Sequence, residues 1–285
     1  MSSNKKELNF IVVTGPTATG KTKVAVNIAY QFGGEIISAD SRQIYRGMDI
    51  GTGKDLNEYN IKDTSIPYHL IDILDPEDNY SVYQFQRDFL SSYNQIRKSK
   101  NLPILCGGTG LYIESILLKY RLQNAPGPNQ DLRQSLQEKS MEELLELFQN
   151  ISPDKYNNPS KKDTKNRVIR SIEIELDKKN DEPDIFRNQS IDNFLVLGIK
   201  QEREDNRNLI KKRLIDRMNE GLIDEVEKLL KNGLSKSRLD YFGLEYKFVG
   251  AYLKNELTKE ELIEKLHIAI CQFAKRQMSW FRRME

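Results

Sequence analysis

A chain of 285 residues with 30 % charged side chains and a formal net charge of +2 has room for one main domain and a smaller inserted one, and its near-neutral balance does not by itself mark a nucleic-acid binder. Two cysteines, Cys106 and Cys271, in apolar surroundings exclude a disulfide framework and read as buried reduced thiols; His69 and His267, with no closely spaced Cys or His pair, exclude a structural zinc site. No run approaches the roughly eighteen apolar residues of a membrane span, and residues 1–7 lack the apolar core of a signal peptide, so a cytoplasmic protein with no membrane partner is expected.

An apolar strand-like run at 10–13 leads through Gly15, Pro16, Thr17, Ala18, Thr19, Gly20, Lys21 and Thr22 into a helix-like run at 24–32. The pattern G-x-x-x-x-G-K-[ST] in that setting is a P-loop. Its backbone N–H groups converge on phosphate oxygens at a helix N-terminus, Lys21 reaches the terminal phosphate, and the Thr22 hydroxyl is offered to a magnesium ion. Glycine-rich turns also match the pattern by chance, but the flanking strand and helix favour a site for a di- or triphosphate.

A second strand at 34–39 delivers Asp40, Ser41, Arg42 and Gln43 to the same carboxyl edge. Asp40 reads either as a site carboxylate or as a turn former or helix N-cap. A third strand at 67–73 contains Asp72. That acid is a strand-end cap or, poorly placed because apolar residues follow it, the metal-binding acid of nucleotide hydrolases. A helix at 81–98 comes next, and a strand at 103–107 then ends in Gly-Gly-Thr-Gly, putting Thr109 at a strand tip, where such folds bind ligands, ahead of a helix at 109–119.

From 123 to 190 the character changes to helical. Residues 124–130 form a loop, Ser140 and Glu143 make a capping box, and 163–177 is a helix with Val168, Ile169, Ile172 and Leu176 on one face. The chain returns to the sheet at 193–199. It then becomes helical, with Arg213 and Arg217 four apart on one face and a second capping box at Thr258 and Glu261. The stripe Leu262, Leu266, Ile270 and Phe273 behind that box reads as core.

The predicted fold is α/β: a P-loop-type, mostly parallel sheet with flanking helices and a helical insertion. Residues 1–122 and 191–285 make the core and 123–190 the insertion. Cations gather at Lys155, Lys161, Lys162, Lys165, Arg167 and Arg170, and again at Lys275, Arg276, Arg282 and Arg283. Such runs are usually solvated faces, and an RNA ligand is the alternative.

Residues 15–22, ADSRQIYRGMDIGTGK at 39–54, GGTGLY at 107–112 and AKRQMSWFRR at 274–283 together resemble the bacterial tRNA dimethylallyltransferases, or isopentenyltransferases. The resemblance covers most of the chain. It implies that the P-loop holds the diphosphate of dimethylallyl diphosphate with Mg2+ at Thr22, and that the prenyl group goes to the exocyclic amine of the adenine 3′ of the anticodon. Asp40, Lys21, Thr109 and Arg217 are then the expected catalytic residues, with Asp40 as proton acceptor. Arg213, by contrast, reads better as the partner of Asp216 or Glu220 on a solvated face. The tRNA anticodon arm is the expected partner of Asp40, Ser41, Arg42, Gln43, Asn166, Arg167, Arg170, Lys275 and Arg276. A monomer is favoured, and the C-terminal zinc finger of eukaryotic members is lacking.

Two departures stand out. Members usually show a glutamine and an I-G-Y-K-E segment where this chain has residues 241–247, and a Thr-Arg pair where it has Ile270 and Cys271. An arginine is missing and a carboxylate, Glu245, is gained, so anticodon preference is the weakest implication of the resemblance, while the transfer chemistry is untouched. Transfer to a free adenine nucleotide and an ATP-dependent P-loop kinase or switch are the competing functions; the helical insertion argues against the first, and the lack of a clean metal-binding acid after a strand against the second.

Overall fold

The computed structural model describes residues 8–122, 129–157, 162–177 and 183–283. Part of the loop expected at 124–130 and Lys161 of the first basic run lie outside the described residues. The chain divides into two compact units, Met1–Lys119 with Gln189–Glu285, and Tyr120–Asn188.

In the first unit, β1 (Phe10–Thr14) is buried at every position, which its unbroken apolar run requires of a strand covered on both faces. The P-loop follows and opens α1 (Lys21–Phe32); β2 (Gly34–Ser38) comes next. A short antiparallel pair, β3 (Asn60–Ile61) and β4 (Thr64–Ser65), precedes β5 (Tyr68–His69). The strand expected at 67–73 is thus only two residues long. Leu70 and Asp72 take left-handed φ values of 63° and 56°, turning the chain out of the sheet so that the Asp72 carboxylate pairs with the buried ammonium of Lys54. Asp72 neutralises a lysine instead of capping a strand.

α2 (Val82–Lys98) begins with a reciprocal Ser81–Gln84 cap and buries Phe85, Phe89, Tyr93 and Ile96 at helical spacing. Phe89 meets Phe10 edge-on at 5.8 Å. β6 (Leu102–Gly107) leads into α3 (Gly110–Leu117), whose Tyr112 stacks on Phe85 at 4.2 Å.

The second unit consists of α4 (Gln130–Gln137), α5 (Met141–Ile151), α6 (Pro153–Tyr156) and α7 (Lys165–Leu176). Its core is Leu136, Leu144, Phe148, Val168, Ile169 and Ile172. The expected α7 stripe ends one position early, because Leu176 lies in the last turn and is 54 % exposed. Glu173, 1 % exposed, ties the unit together: it accepts from Arg133, from the Asn129 backbone N–H and from Arg170.

Back in the first unit, β7 (Phe194–Gly198) pairs with β1 and completes a sheet of order β5-β2-β6-β1-β7 in which every neighbour is parallel. The carboxyl ends of β2, β6 and β1 therefore stand side by side, which brings the P-loop, the Asp40 segment and the Gly-Gly-Thr-Gly turn to one edge. Five helices follow: α8 (Arg203–Asn219), α9 (Leu222–Lys231), α10 (Lys236–Phe242), α11 (Leu244–Leu253) and α12 (Lys259–Phe281). Among the described residues, no helix is long and apolar enough to cross a membrane. Cys106 is buried, whereas Cys271 on α12 is only half-buried, so the expectation of two buried thiols is met for one.

Candidate active site

A cavity of about 720 Å3 opens at the carboxyl edge of the sheet in the first unit. Thr17 to Thr22, Asp40 to Gln43, Thr109, Arg217 and Arg276 line it. Of the residues expected there, Gly15 and Pro16 shape the P-loop from outside the lining, and Lys275 on α12 does not reach the cavity and stands exposed. Asn166, Arg167 and Arg170 belong to α7 of the second unit.

The P-loop is braced from two sides. The Thr19 hydroxyl and the Lys21 ammonium both donate to the Pro16 carbonyl, at 2.8 and 2.6 Å. Asn206 of α8 donates to the Thr17 carbonyl, and the Thr17 N–H donates to Gln277 Oε1 of α12 at 2.9 Å. The same Gln277 amide donates to the Gly108 carbonyl at 2.9 Å, so one buried side chain fixes the spacing of the P-loop and the Gly-Gly-Thr-Gly turn. Burial lowers the Lys21 ammonium to about 8, with Cys106 and Asp40 pulling it back up and Arg213 pushing it further down. A partly buried cation with one neutral partner is a site made for an incoming anion.

Asp40 sits just past the tip of β2, half-buried, with Oδ1 accepting from the Arg42 N–H at 2.9 Å. The turn-forming reading of Asp40 therefore holds for Oδ1, and the second carboxylate oxygen is not needed for that turn. Thr109 Oγ1 accepts from the Ser41 N–H at 3.0 Å, linking the second strand tip to the first. Gln43 accepts from Ser38 Oγ and donates to the Gly53 carbonyl, both at 2.9 Å.

The opposite wall is the loop at 49–55, and it is held by charges that sequence reasoning did not single out. Glu225 on α9 accepts from three successive backbone N–H groups, those of Asp49, Ile50 and Gly51, at 2.7, 2.7 and 3.0 Å, and from the Tyr246 hydroxyl at 2.8 Å. Lys54, 1 % exposed, donates to the Tyr45 carbonyl at 2.8 Å and pairs with Asp49 and Asp72. Gly53 stands at a left-handed φ of 63°, and a Cβ there would lie 1.6 Å from Arg217 Nη2. Only glycine permits both the turn and the close approach of the guanidinium.

Arg213 and Arg217 of α8 reach this loop together. Arg213 pairs with Asp55 at 2.5 Å and lines the cavity, which corrects the expectation that it pairs with Asp216 or Glu220 on a solvated face. Arg217, 7 % exposed, has only distant partners: its Nη1 is 3.5 Å from the Gly51 carbonyl and 3.4 Å from Glu245, and its Nε has no partner. Burial, then Arg213, lower its pKa. The α12 stripe also needs correction: Leu262, Leu266 and Ile270 are buried, but Phe273 is 40 % exposed and joins Arg276, Gln277 and Trp280 on the cavity wall.

A P-loop beside a strand-tip carboxylate and a half-satisfied buried arginine marks a P-loop-type α/β protein whose candidate site lies at the edge of a parallel sheet. The family model for IPP transferase matches residues 43–284, and that for isopentenyl transferase matches residues 8–71. The chain is 49 % identical over 280 residues to tRNA dimethylallyltransferase 1 of Parabacteroides distasonis, covering 98 % of this chain and 90 % of that one. It is 48 % identical over 280 residues to tRNA dimethylallyltransferase 2 of Phocaeicola vulgatus, with the same coverage of 98 % and 90 %. The full-length tRNA isopentenylpyrophosphate transferase of Bacillus halodurans superposes with a TM-score of 0.68 at 33 % identity, over 97 % of this chain and 87 % of that one. A eukaryotic dimethylallyltransferase acting on tRNA shares the fold at a TM-score of 0.78 and 24 % identity, over 95 % and 69 % of the two chains. The chain belongs to the IPP transferase family.

Proposed function

We propose that this protein transfers a dimethylallyl group from dimethylallyl diphosphate to the exocyclic amine of the adenine 3′-adjacent to the anticodon in tRNA. The observation that carries the reading is the meeting, in one cavity, of the P-loop lysine, a carboxylate at the neighbouring strand tip and a buried arginine with an unpaired donor. Family membership and relatives named for this reaction support it.

The chemistry asks for these residues. Breaking the allylic carbon–oxygen bond leaves negative charge on the departing diphosphate and positive character on the prenyl carbon, so donors must meet the leaving oxygens. Lys21, the N–H groups of Ala18 to Thr22 and the unpaired Nε of Arg217 serve that end. The adenine amine attacks the allylic carbon, its N–H becomes acidic as the new nitrogen–carbon bond forms, and Asp40 accepts the proton. Thr109 holds the Ser41 backbone and with it the direction of Asp40. Ser41, Arg42, Gln43 and Arg276 meet the RNA at the rim of the cavity; Asn166, Arg167 and Lys275 are the other residues we assign to it, whereas Arg170, closed onto Glu173, is left out.

Magnesium fits this site only in company with the substrate. Thr22 brings one hydroxyl to the lining, and the described residues hold no cluster of three acidic, Cys or His side chains, so most ligands would be diphosphate oxygens and water. When bound, the ion neutralises charge on the leaving group.

Incubation with labelled dimethylallyl diphosphate and either bulk tRNA or adenosine monophosphate, beside an ATPase assay, tests the reading. Label is expected in tRNA alone. Label on the free nucleotide, or ATP turnover with no label transferred, overturns it.

A further inference from the structure

The buried arginine that the proposed reaction needs is not left bare. Glu245, at the start of α11, lies on the cavity wall with Oε1 3.4 Å from Arg217 Nη1, and its side chain is 18 % exposed against 9 % for the arginine. This is a loose pair. A guanidinium has five donors in a fixed fork and meets a committed carboxylate with two short bonds, whereas here one nitrogen carries two contacts at the outer limit and Nε carries none. The neighbouring Arg213, by comparison, is closed onto Asp55 at 2.5 Å. Seven cationic and five acidic side chains line the cavity, so each carboxylate there matters to an anionic ligand.

We propose that Glu245 is an internal stand-in for the leaving group: it occupies part of the Arg217 anion site, and diphosphate must displace it to bind. The proposal rests on the assignment of Arg217 to the diphosphate. Glu245 thereby lowers affinity for diphosphate as substrate and as product, and it shields the buried guanidinium while the site is empty. The groups that face it set how hard it competes. Arg217 and Arg213 of α8 hold it ionised, while burial and Asp40 of the β2 tip push its carboxyl towards the protonated form, with burial the strongest influence and the net direction upward. Protonation would weaken the stand-in, so its effect fades as pH falls.

The test is the affinity for inorganic diphosphate, with magnesium, measured calorimetrically on the whole chain. Glu245→Gln keeps the shape and removes the charge; it is expected to tighten binding by about five- to tenfold, the scale of one partly buried charge pair. In an Arg217→Gln background the same change is expected to have no effect, because the competitor acts only through that guanidinium. Glu245→Ala repeats the measurement should the amide form a new bond to Arg217. Unchanged or weaker binding in both Glu245 variants, or a gain that survives Arg217→Gln, overturns the proposal. If the unaltered protein does not bind diphosphate at all, it is the proposed function that falls.

Discussion

Cations treat their neighbours differently in the two units. In the helical unit, Lys155 pairs with buried Glu175, Arg133 and Arg170 close on buried Glu173, and Arg167 pairs with Asp163. In the cavity, Lys21 has one carbonyl for company and Arg217 keeps an unpaired donor. The dense basic run of the sequence is thus spent largely on internal partners, and the sparse cations of the cavity are the available ones. Charge density along a chain is not charge availability. An unsatisfied buried cation costs stability unless a ligand completes it, and that incompleteness marks the site more sharply than any count of lysines.

The largest effect should come from the cavity. Asp40→Asn keeps the turn at Arg42, because an amide oxygen can still accept from that N–H, yet it removes the proton acceptor. Single-turnover prenyl transfer is expected to fall by about two to four orders of magnitude, the usual span for a general base, with tRNA affinity and melting temperature retained. Transfer near the unaltered rate would move Asp40 from chemistry to architecture and erase the contrast between the units.

Next comes the helical unit, where the loss is of fold rather than rate. Glu173→Gln leaves Arg133 and Arg170, each about a third exposed, without their carboxylate, and a loss of about 1–3 kcal/mol is expected, read as early unfolding of residues 120–188 in limited proteolysis. Burial alone would raise the Glu173 carboxyl, but bonds from Arg133, the Asn129 N–H and Arg170 outweigh it and hold the group at about 2. The folded value lies below the unfolded one, so this stabilisation is complete above the ordinary carboxylate range and is lost as pH falls from there towards about 2. Acid melting of the unit that ignores Glu173→Gln would remove the hub.

Lys21 offers a smaller, graded effect. Its free amine sits at about 8, so below that pH it meets diphosphate already charged and above it binding must recruit a proton. Relative to Lys21→Ala as baseline, affinity for inorganic diphosphate is expected to fall by up to about tenfold per unit above pH 8. A flat difference between the two proteins from pH 7 to 9 would mean that the ammonium does not touch the anion.

Much of this is legible in the sequence, and what is not has a common cause. Strands β1, β2 and β6 announce themselves because each is apolar and ends in residues with one use, namely the P-loop, Asp40 and the Gly-Gly-Thr-Gly turn. The sequence overstates β5 because Leu70 and Ile71 are apolar and buried in the core without being in the sheet. Glu225, Lys54 and Gln277 escape notice since an acid, a lysine and a glutamine on polar stretches look solvated, and only the folded structure turns them towards backbone groups, 175 and 169 positions away for Glu225 and Gln277 and nine for Lys54. Arg213 misleads for the same reason: acids near it in sequence look like sufficient partners, while its actual partner, Asp55, is 158 positions away.

The smallest effect separates two arginines three residues apart on α7. Arg167 is exposed and paired only with Asp163 one turn before it, a surface pair of the kind worth about 0–1 kcal/mol and easily exchanged for a phosphate. Arg170 is committed to Glu173. Every phosphate that a protein ceases to neutralise takes about 0.7–0.9 off the slope of log affinity against log salt. Arg167→Gln is therefore expected to flatten the salt dependence of tRNA binding by about that amount with little change in stability, whereas Arg170→Gln should loosen the helical unit and leave the slope as it was once the protein is folded. Lys165, which donates to the Gln137 carbonyl at 2.7 Å, stands between the two cases, and its neutralisation should shift the slope by less than that of Arg167. Filter-binding titrations across salt concentrations, run beside melting curves, decide the matter. Equal slopes for the unaltered protein and Arg167→Gln would return α7 to a solvated face. A lowered slope with unaltered melting for Arg170→Gln would make that residue an RNA-binding one and break the rule that internally paired cations are spent.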